Sequence, residues 1–336
     1  MKKPIAIVFS DLHINNWSRF NDDKKRTLEQ FRVLSILGKK SRKYNVPILF
    51  CGDFFHKPET MDQELAEICY NEISKLDLRI RAISGNHDMK KVSKIGEKPF
   101  SWLYTLPTNF VDIMDYKQDI LSSYNQDIIL HGVPYIDHNI GLCEYLKNIK
   151  LDKSKKHILM LHTDYPGAKD TDDREIDSVE NLNINILNRF DLILCGHIHK
   201  PQRLSKKVYM VGAPNQQRRT DMNCKLGYWL IMEDFTMKFV ELSDFPKFID
   251  VESEEDIIDD GNYYTLITRE TIIESNNKIH KGLSKKKLVR LYLKYNNIKD
   301  KERKECLLNI IKKAEEDDGY IIRLYNGKDH RNLDDK

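Results

Sequence analysis

Five short apolar runs in this chain each end on a small group of histidine, aspartate or asparagine, and that repetition most constrains the fold. Asp11-Leu12-His13 follows the run at 5–9, Gly52-Asp53 the run at 46–50, and Gly85-Asn86-His87-Asp88 the run at 78–83. His162 follows 157–161, and Gly196-His197-Ile198-His199 follows 192–195. Such runs read as strands buried on both faces. The carboxyl ends of strands are where open α/β sheets bind ligands. Glycine at 52, 85 and 196 lets the chain turn sharply there and bring polar groups inward. Each signal is weak alone; all five in this order are hard to produce by chance.

Helical patterns separate the early runs, at 23–44, 64–74 and 179–187, which predicts an α/β core. A further strand is expected at 128–130. Beyond Cys195 strands dominate, at 207–211, 226–232 and 237–241, so the expected fold is a mixed β-sandwich flanked by helices rather than a doubly wound sheet. Residues 1–245 form this first domain and 246–261 an acidic linker. Residues 262–328 form a small basic α+β domain with strands at 263–267, 288–293 and 320–324 and a helix at 301–314. Residues 329–336 are a polar tail.

Apolar residues make up 40% of the chain, enough for a real core, and the formal net charge is only +3, so any nucleic-acid footprint must be local. Residues 278–313 carry 13 Lys/Arg against 3 Asp/Glu, a concentration that is either a solvated helix face or a phosphate-tracking surface. No apolar run approaches the roughly 20 residues that cross a bilayer. The six cysteines show no C-x-x-C spacing, which disfavours a structural zinc site, and three lie in apolar surroundings with no secretory signal expected, which disfavours a disulfide framework. Cys51, Cys69 and Cys195 read as small buried hydrophobes. The expected location is the cytoplasm, with no membrane partner.

The residue types at the strand ends have a shared chemistry. Histidine nitrogens, carboxylate oxygens and one amide oxygen suit Mn²⁺, Fe²⁺ or Zn²⁺ better than Mg²⁺ or Ca²⁺. Asp11, His13, Asp53, Asn86, His162, His197 and His199 are too many ligands for one ion and about right for two. Two such ions polarise a phosphoryl oxygen and stabilise in-line displacement.

These motifs resemble the signature of the calcineurin-like metallophosphoesterases over about residues 4–245. The resemblance implies that Asp11, His13 and His199 hold one metal, that Asn86, His162 and His197 hold the other, and that Asp53 bridges them. It makes His87 the general acid that meets the leaving-group oxygen or orients the phosphate, and places Asp88 behind it, fixing its tautomer. Cys51-Gly-Asp-Phe-Phe-His-Lys-Pro58 and Val211-Gly-Ala-Pro-Asn-Gln-Gln-Arg218 are similar to segments of the SbcD-type DNA repair nucleases, with Ala213 where that branch has serine. Lys287-Leu-Val-Arg-Leu-Tyr-Leu293 and Ile321-Ile-Arg-Leu324 resemble that branch's capping domain.

The narrower resemblance implies a two-metal nuclease, Mn²⁺ being the expected cofactor, with Mg²⁺, Fe²⁺ or Zn²⁺ as alternatives. It would act 3′ to 5′ on double-stranded DNA ends and endonucleolytically on single strands. His56 would handle the DNA strand. From the residues themselves, Arg218 and Arg219 read as phosphate contacts or as solvated turn arginines, and Lys285, Lys286 and Lys287 of the basic run as phosphate contacts. An SbcC-type ATPase partner and a homodimer are implied as well. The short stretch after Leu324 departs from the longer members, whose tail docks on that partner. Shortness and a Lys/Asn/Ile-rich composition fit a phage-encoded member, located in a bacterial or host cytoplasm. A small-molecule phosphodiesterase of the same superfamily stays open. Trp17 reads as a loop aromatic capping the core, with stacking on a base next to the first motif as the alternative.

Overall fold

The computed structural model describes residues 2–17, 21–91, 94–123, 126–137, 139–176, 182–251, 256, 258, 260–268, 290–295 and 321–326. The chain divides into two compact units, Met1–Phe245 and Pro246–Lys336.

In the first unit β1 (Pro4–Phe9), β2 (Ile48–Phe50) and β3 (Ile80–Ala82) are linked by α1 (Lys25–Tyr44) and α2 (Gln63–Ser74). A short hairpin of β4 (Met89–Lys91) and β5 (Phe100–Ser101) precedes β6 (Val111–Ile113), β7 (Lys117–Ser123) and β8 (Gln126–Gly132). Then come α3 (Asn139–Asn148), β9 (Lys156–His162), α4 (Ile184–Leu187), β10 (Leu192–Gly196), β11 (Gln202–Arg203), β12 (Val208–Met210), β13 (Gly227–Met232) and β14 (Met237–Glu241). One six-stranded sheet has the order β14-β13-β1-β2-β3-β6, and a second the order β11-β12-β10-β9-β8-β7. Their centres, β1-β2-β3-β6 and β12-β10-β9-β8, are parallel. Antiparallel strands border them, so the sheets are mixed, as the strand-rich second half of the sequence predicts.

Burial explains the continuous apolar runs. Along β1, Ala6 and Val8 enter a core shared with Ile158, Met160, Leu192 and Leu194 of the other sheet. Their neighbours Ile7 and Phe9 pack on the opposite face with Phe31, Leu34 and Leu37 of α1. The second sheet repeats this: Leu159, Leu161, Ile193 and Cys195 face α3 and α4 through Leu142, Leu146 and Leu187. The result is a sandwich with helices on both outer faces, where successive side chains enter different cores. Cys51, Cys69 and Cys195 are buried in it. Asp62 caps α2 by accepting from Leu65 N at 2.7 Å, and Asn45, at φ 53°, closes α1 in the left-handed conformation that asparagine tolerates.

In the second unit β15 (Phe248–Val251), β16 (Tyr263–Thr268), β17 (Arg290–Tyr295) and β18 (Ile321–Asn326) form one parallel sheet in sequential order. The stretch expected as an acidic linker therefore carries a strand near its start, and Phe248 packs against Tyr263, its partner in register, with ring centroids 5.0 Å apart. The helix expected at 301–314 lies outside the described residues. Among the described residues, no helix is long and apolar enough to cross a membrane.

Candidate metal centre

The carboxyl ends of β1, β2, β3, β9 and β10 come together, and the backbone there is bent hard. Asp11 (φ 53°), His13 (φ 50°), Asp53 (φ 61°) and His197 (φ 89°) all occupy the left-handed region that side chains disfavour. Such conformations cost on the order of 1–3 kcal/mol each and persist where surrounding contacts enforce them. Two glycines show why nothing larger fits: a Cβ on Gly52 would lie 2.3 Å from His162 Nδ1, and one on Gly85 2.1 Å from Asp53 Oδ1. The turns are shaped so that functional side chains lie directly on backbone.

Asp11, His13 and His199 form one cluster whose ligand atoms lie within 4.8 Å of one another, and Asp53, His162 and His197 form a second. Asp11, His13, Asp53, His162 and His199 are buried. Lone pairs decide what these clusters need. His162 Nδ1 donates to Cys51 O at 2.7 Å, which leaves its Nε2 facing Asn86 Oδ1 at 3.0 Å and Asp53 Oδ2 at 3.1 Å. Asn86 Oδ1 also meets His197 Nδ1 at 3.0 Å. In the other cluster His199 Nδ1 donates to the Asp221 carboxylate at 3.1 Å, so its Nε2 confronts His13 Nε2, 3.1 Å away. Asp53 Oδ2 stands between the clusters, 3.7 Å from His13 Nε2.

Converging acceptors of this kind require a proton or a cation. Without a metal, protonation is the available answer. Burial disfavours a charged His162, but the adjacent Asp53 carboxylate overrides it and lifts the ring to about 9. Asp53 moves the other way: burial opposes its charge, yet His162 holds it well below the usual carboxylate range. His197 is pushed down to about 3, by burial first and His162 second. Nitrogen and oxygen donors arranged about two centres, with one carboxylate between them, fit a pair of divalent ions.

The family model for Calcineurin-like phosphoesterase matches residues 6–201. The chain belongs to that family. It is therefore a phosphoester hydrolase of a dinuclear, metal-dependent class, and the two His/Asp clusters are its candidate metal sites.

Beside the candidate metal centre of this phosphoesterase, His87 is held from three sides. Its backbone N donates to Asp53 Oδ1 at 2.9 Å, its Nδ1 donates to the His56 carbonyl, and its ring stacks on that of His56 at 5.5 Å and 15°. His56 is pushed down to about 3, mainly by burial and then by His87. Asp88 departs from expectation. It does not sit behind His87; its carboxylate accepts from the backbone N of Asp53, Phe55 and Gly85, each at 2.9 Å. The His56 carbonyl takes the tautomer-fixing role, while Asp88 ties the second and third motif loops together. Burial and the charge of Asp53 raise Asp88 to about 8 against those donors.

Asp221 had no sequence signal beyond lying a few residues after the Gly-Ala-Pro-Asn turn, yet it is fully buried and orients His199. Arg218, half exposed, has its Nε 3.6 Å from Asp221 Oδ1; Arg219 begins the short helical turn that carries Asp221. Asp164 lies 3.5 Å from His197 Nε2. Trp17 does not cap the core: its ring lies 4.7 Å from His56. Lys285, Lys286 and Lys287 lie outside the described residues.

Proposed function

We propose that this phosphoesterase is a manganese-dependent DNA nuclease of the SbcD type. It degrades double-stranded ends 3′ to 5′ and cuts single strands internally, in DNA repair or recombination. The observation that carries this reading is His56. The segment Gly52-Asp53-Phe54-Phe55-His56, similar to that of the nuclease branch, sets a second imidazole against His87 beside the candidate metal clusters. A further support is the basic run at 278–313, which would supply phosphate contacts.

Asp11, His13 and His199 would hold one ion and Asn86, His162 and His197 the other, with Asp53 shared. Bound there, the ions would supply Lewis-acid polarisation of the phosphoryl group and a nucleophile at neutral pH. The chain's own part is proton delivery. In the protonated ring of His87, Nε2–H is the proton to give and the leaving oxygen of the cleaved phosphodiester receives it. The ring that remains keeps its Nδ1–H on the His56 carbonyl, so no tautomer change is needed. Arg218, Arg219, Lys285, Lys286 and Lys287 are the residues proposed to contact DNA phosphates. An SbcC-type ATPase and a second copy of the chain are the proposed partners.

The test is incubation of the protein with end-labelled duplex and with circular single-stranded DNA, in Mn²⁺ and in Mg²⁺, alongside Asp53→Ala. Manganese-dependent degradation of both, absent in the variant, is the expected result. Clean hydrolysis of a small diester with neither DNA cut would keep the hydrolase and sink the nuclease.

A further inference from the structure

Four flat groups follow one another toward His87. The Arg26 guanidinium lies 3.8 Å over the Trp17 ring, Trp17 is 4.7 Å from His56 at 43°, and His56 is 5.5 Å from His87 at 15°. The far end is anchored: Arg26 is buried in the first turn of α1 and donates to the Gln217 carbonyl. Asn21 Nδ2 holds the Trp17 carbonyl at 2.9 Å. Trp17 belongs to none of the three apolar clusters, and its Nε1 is buried with no hydrogen-bond partner. Ring contacts, rather than a hydrogen bond of the indole or membership of the core, set where this side chain lies.

We propose that Trp17 and Arg26 are positioning residues that hold the His56–His87 stack, and through it aim the Nε2 of His87. The hydrogen bond from His87 Nδ1 to the His56 carbonyl fixes one point of the ring but leaves it able to rock about that bond. A face packed on His56, itself packed on Trp17, removes that freedom. Aromatic and cation–π contacts of this kind are individually modest. Their leverage is geometric: a misplacement of about 1 Å in a reacting group can cost roughly 100-fold in rate. The inference rests on His87 being the acid that protonates the leaving oxygen, and holds whether the diester is DNA or a small molecule.

Leaving-group dependence tests it. Manganese-loaded wild type, Trp17→Ala, Trp17→Phe, His87→Ala and the Trp17→Ala/His87→Ala double variant would be assayed on phosphodiesters with aryl and alkyl leaving groups, with bound manganese counted for each. An alkoxide needs the acid, and a nitrophenolate leaves without it. Trp17→Ala should lose about 10- to 100-fold in kcat on the alkyl diester and only a few-fold on the nitrophenyl one, consistent with acid catalysis contributing about 10²–10⁴. KM and two bound ions should be unchanged, Trp17→Phe should recover most of the rate, and Trp17→Ala should have no added effect when His87 is alanine. Should Trp17→Ala not fold, Trp17→Leu keeps apolar bulk without a ring and takes its place. Equal losses on both substrates, or a defect additive with His87→Ala, would overturn the proposal. If His87→Ala itself shows no leaving-group dependence, the acid role fails and the inference fails with it. No DNA cleavage by a wild type that shows the dependence would sink only the nuclease reading.

Discussion

The sandwich carries two buried histidine groups that are opposite in character. His131 on β8 and His157 on β9 are as buried as His162, and they also touch each other, with His131 Nε2 2.9 Å from His157 Nδ1. There donors and acceptors alternate. His157 Nε2 donates to Asp152 O at 2.9 Å, which frees its Nδ1 to accept from His131, and only His131 Nδ1 is left without a partner. At the strand ends Cys51 O and Asp221 have already taken the Nδ1 protons, so His162 Nε2 presents its lone pair to Asn86 Oδ1 and Asp53 Oδ2, and His199 Nε2 presents its own to His13 Nε2. One pair is nearly closed by hydrogen bonds and stabilises the sandwich. The other is incomplete without a cation. Counting lone pairs, rather than histidines or burial, separates a metal centre from a core network.

The comparison breaks first at Asp53. Asp53→Ala removes the carboxylate lying between both clusters, so both manganese ions and all detectable hydrolysis should be lost. His131→Leu, at an equally buried histidine, should leave both ions in place. Metal counting after dialysis checks it, and loss of manganese from His131→Leu would dissolve the distinction. Next in size is His87→Ala, where two ions should stay bound while turnover falls by about 10²–10⁴, the range for a lost general acid. A variant at full rate would remove His87 from proton transfer.

Much of the candidate metal centre was legible in the sequence because parallel strands buried on both faces leave continuous apolar runs, as in Ile5 to Phe9, and the polar residue that ends each run marks the sheet edge. What was not legible lies where no periodicity reports it. β7 sits at the edge of its sheet and includes Lys117, Gln118 and Asp119, and α3 is only ten residues long. Asp221 reaches His199 across a turn that no motif marks. The role expected for Asp88 went instead to a backbone carbonyl, a group sequence identity does not encode. Trp17 fits an ordinary loop aromatic until its distance from His56 is known.

Asp221 sharpens the contrast at intermediate size. It is the acceptor that leaves His199 Nε2 bare, and burial works against its charge while His199 holds it below its ordinary value. Asp221→Asn can offer its amide N–H to the ring and favour the wrong tautomer. Manganese affinity at the Asp11–His13–His199 cluster should weaken by about 10–100-fold, as for other lost orienting partners, with the second ion held as before. Two-step manganese titration followed by electron paramagnetic resonance distinguishes this from a uniform loss.

The smallest expected effect is on the other side of the comparison and concerns stability alone. Burial, with His157 second, pushes His131 down to about 4, whereas in the unfolded chain a histidine titrates near 6.5. The folded state therefore prefers the neutral ring, and this contribution to stability is fully present above about pH 6.5. As pH falls from there toward 4 the unfolded chain takes up the proton that the folded one refuses, and stability declines by up to about 1.4 kcal/mol per pH unit from this one group. His131→Phe should flatten that part of the curve in denaturant titrations between pH 7 and pH 4. The slopes of the two proteins should converge above pH 6.5, where neither state titrates the ring. Parallel curves throughout would mean that His131 is not held neutral by the fold, and that its hydrogen bond to His157 does not close as described.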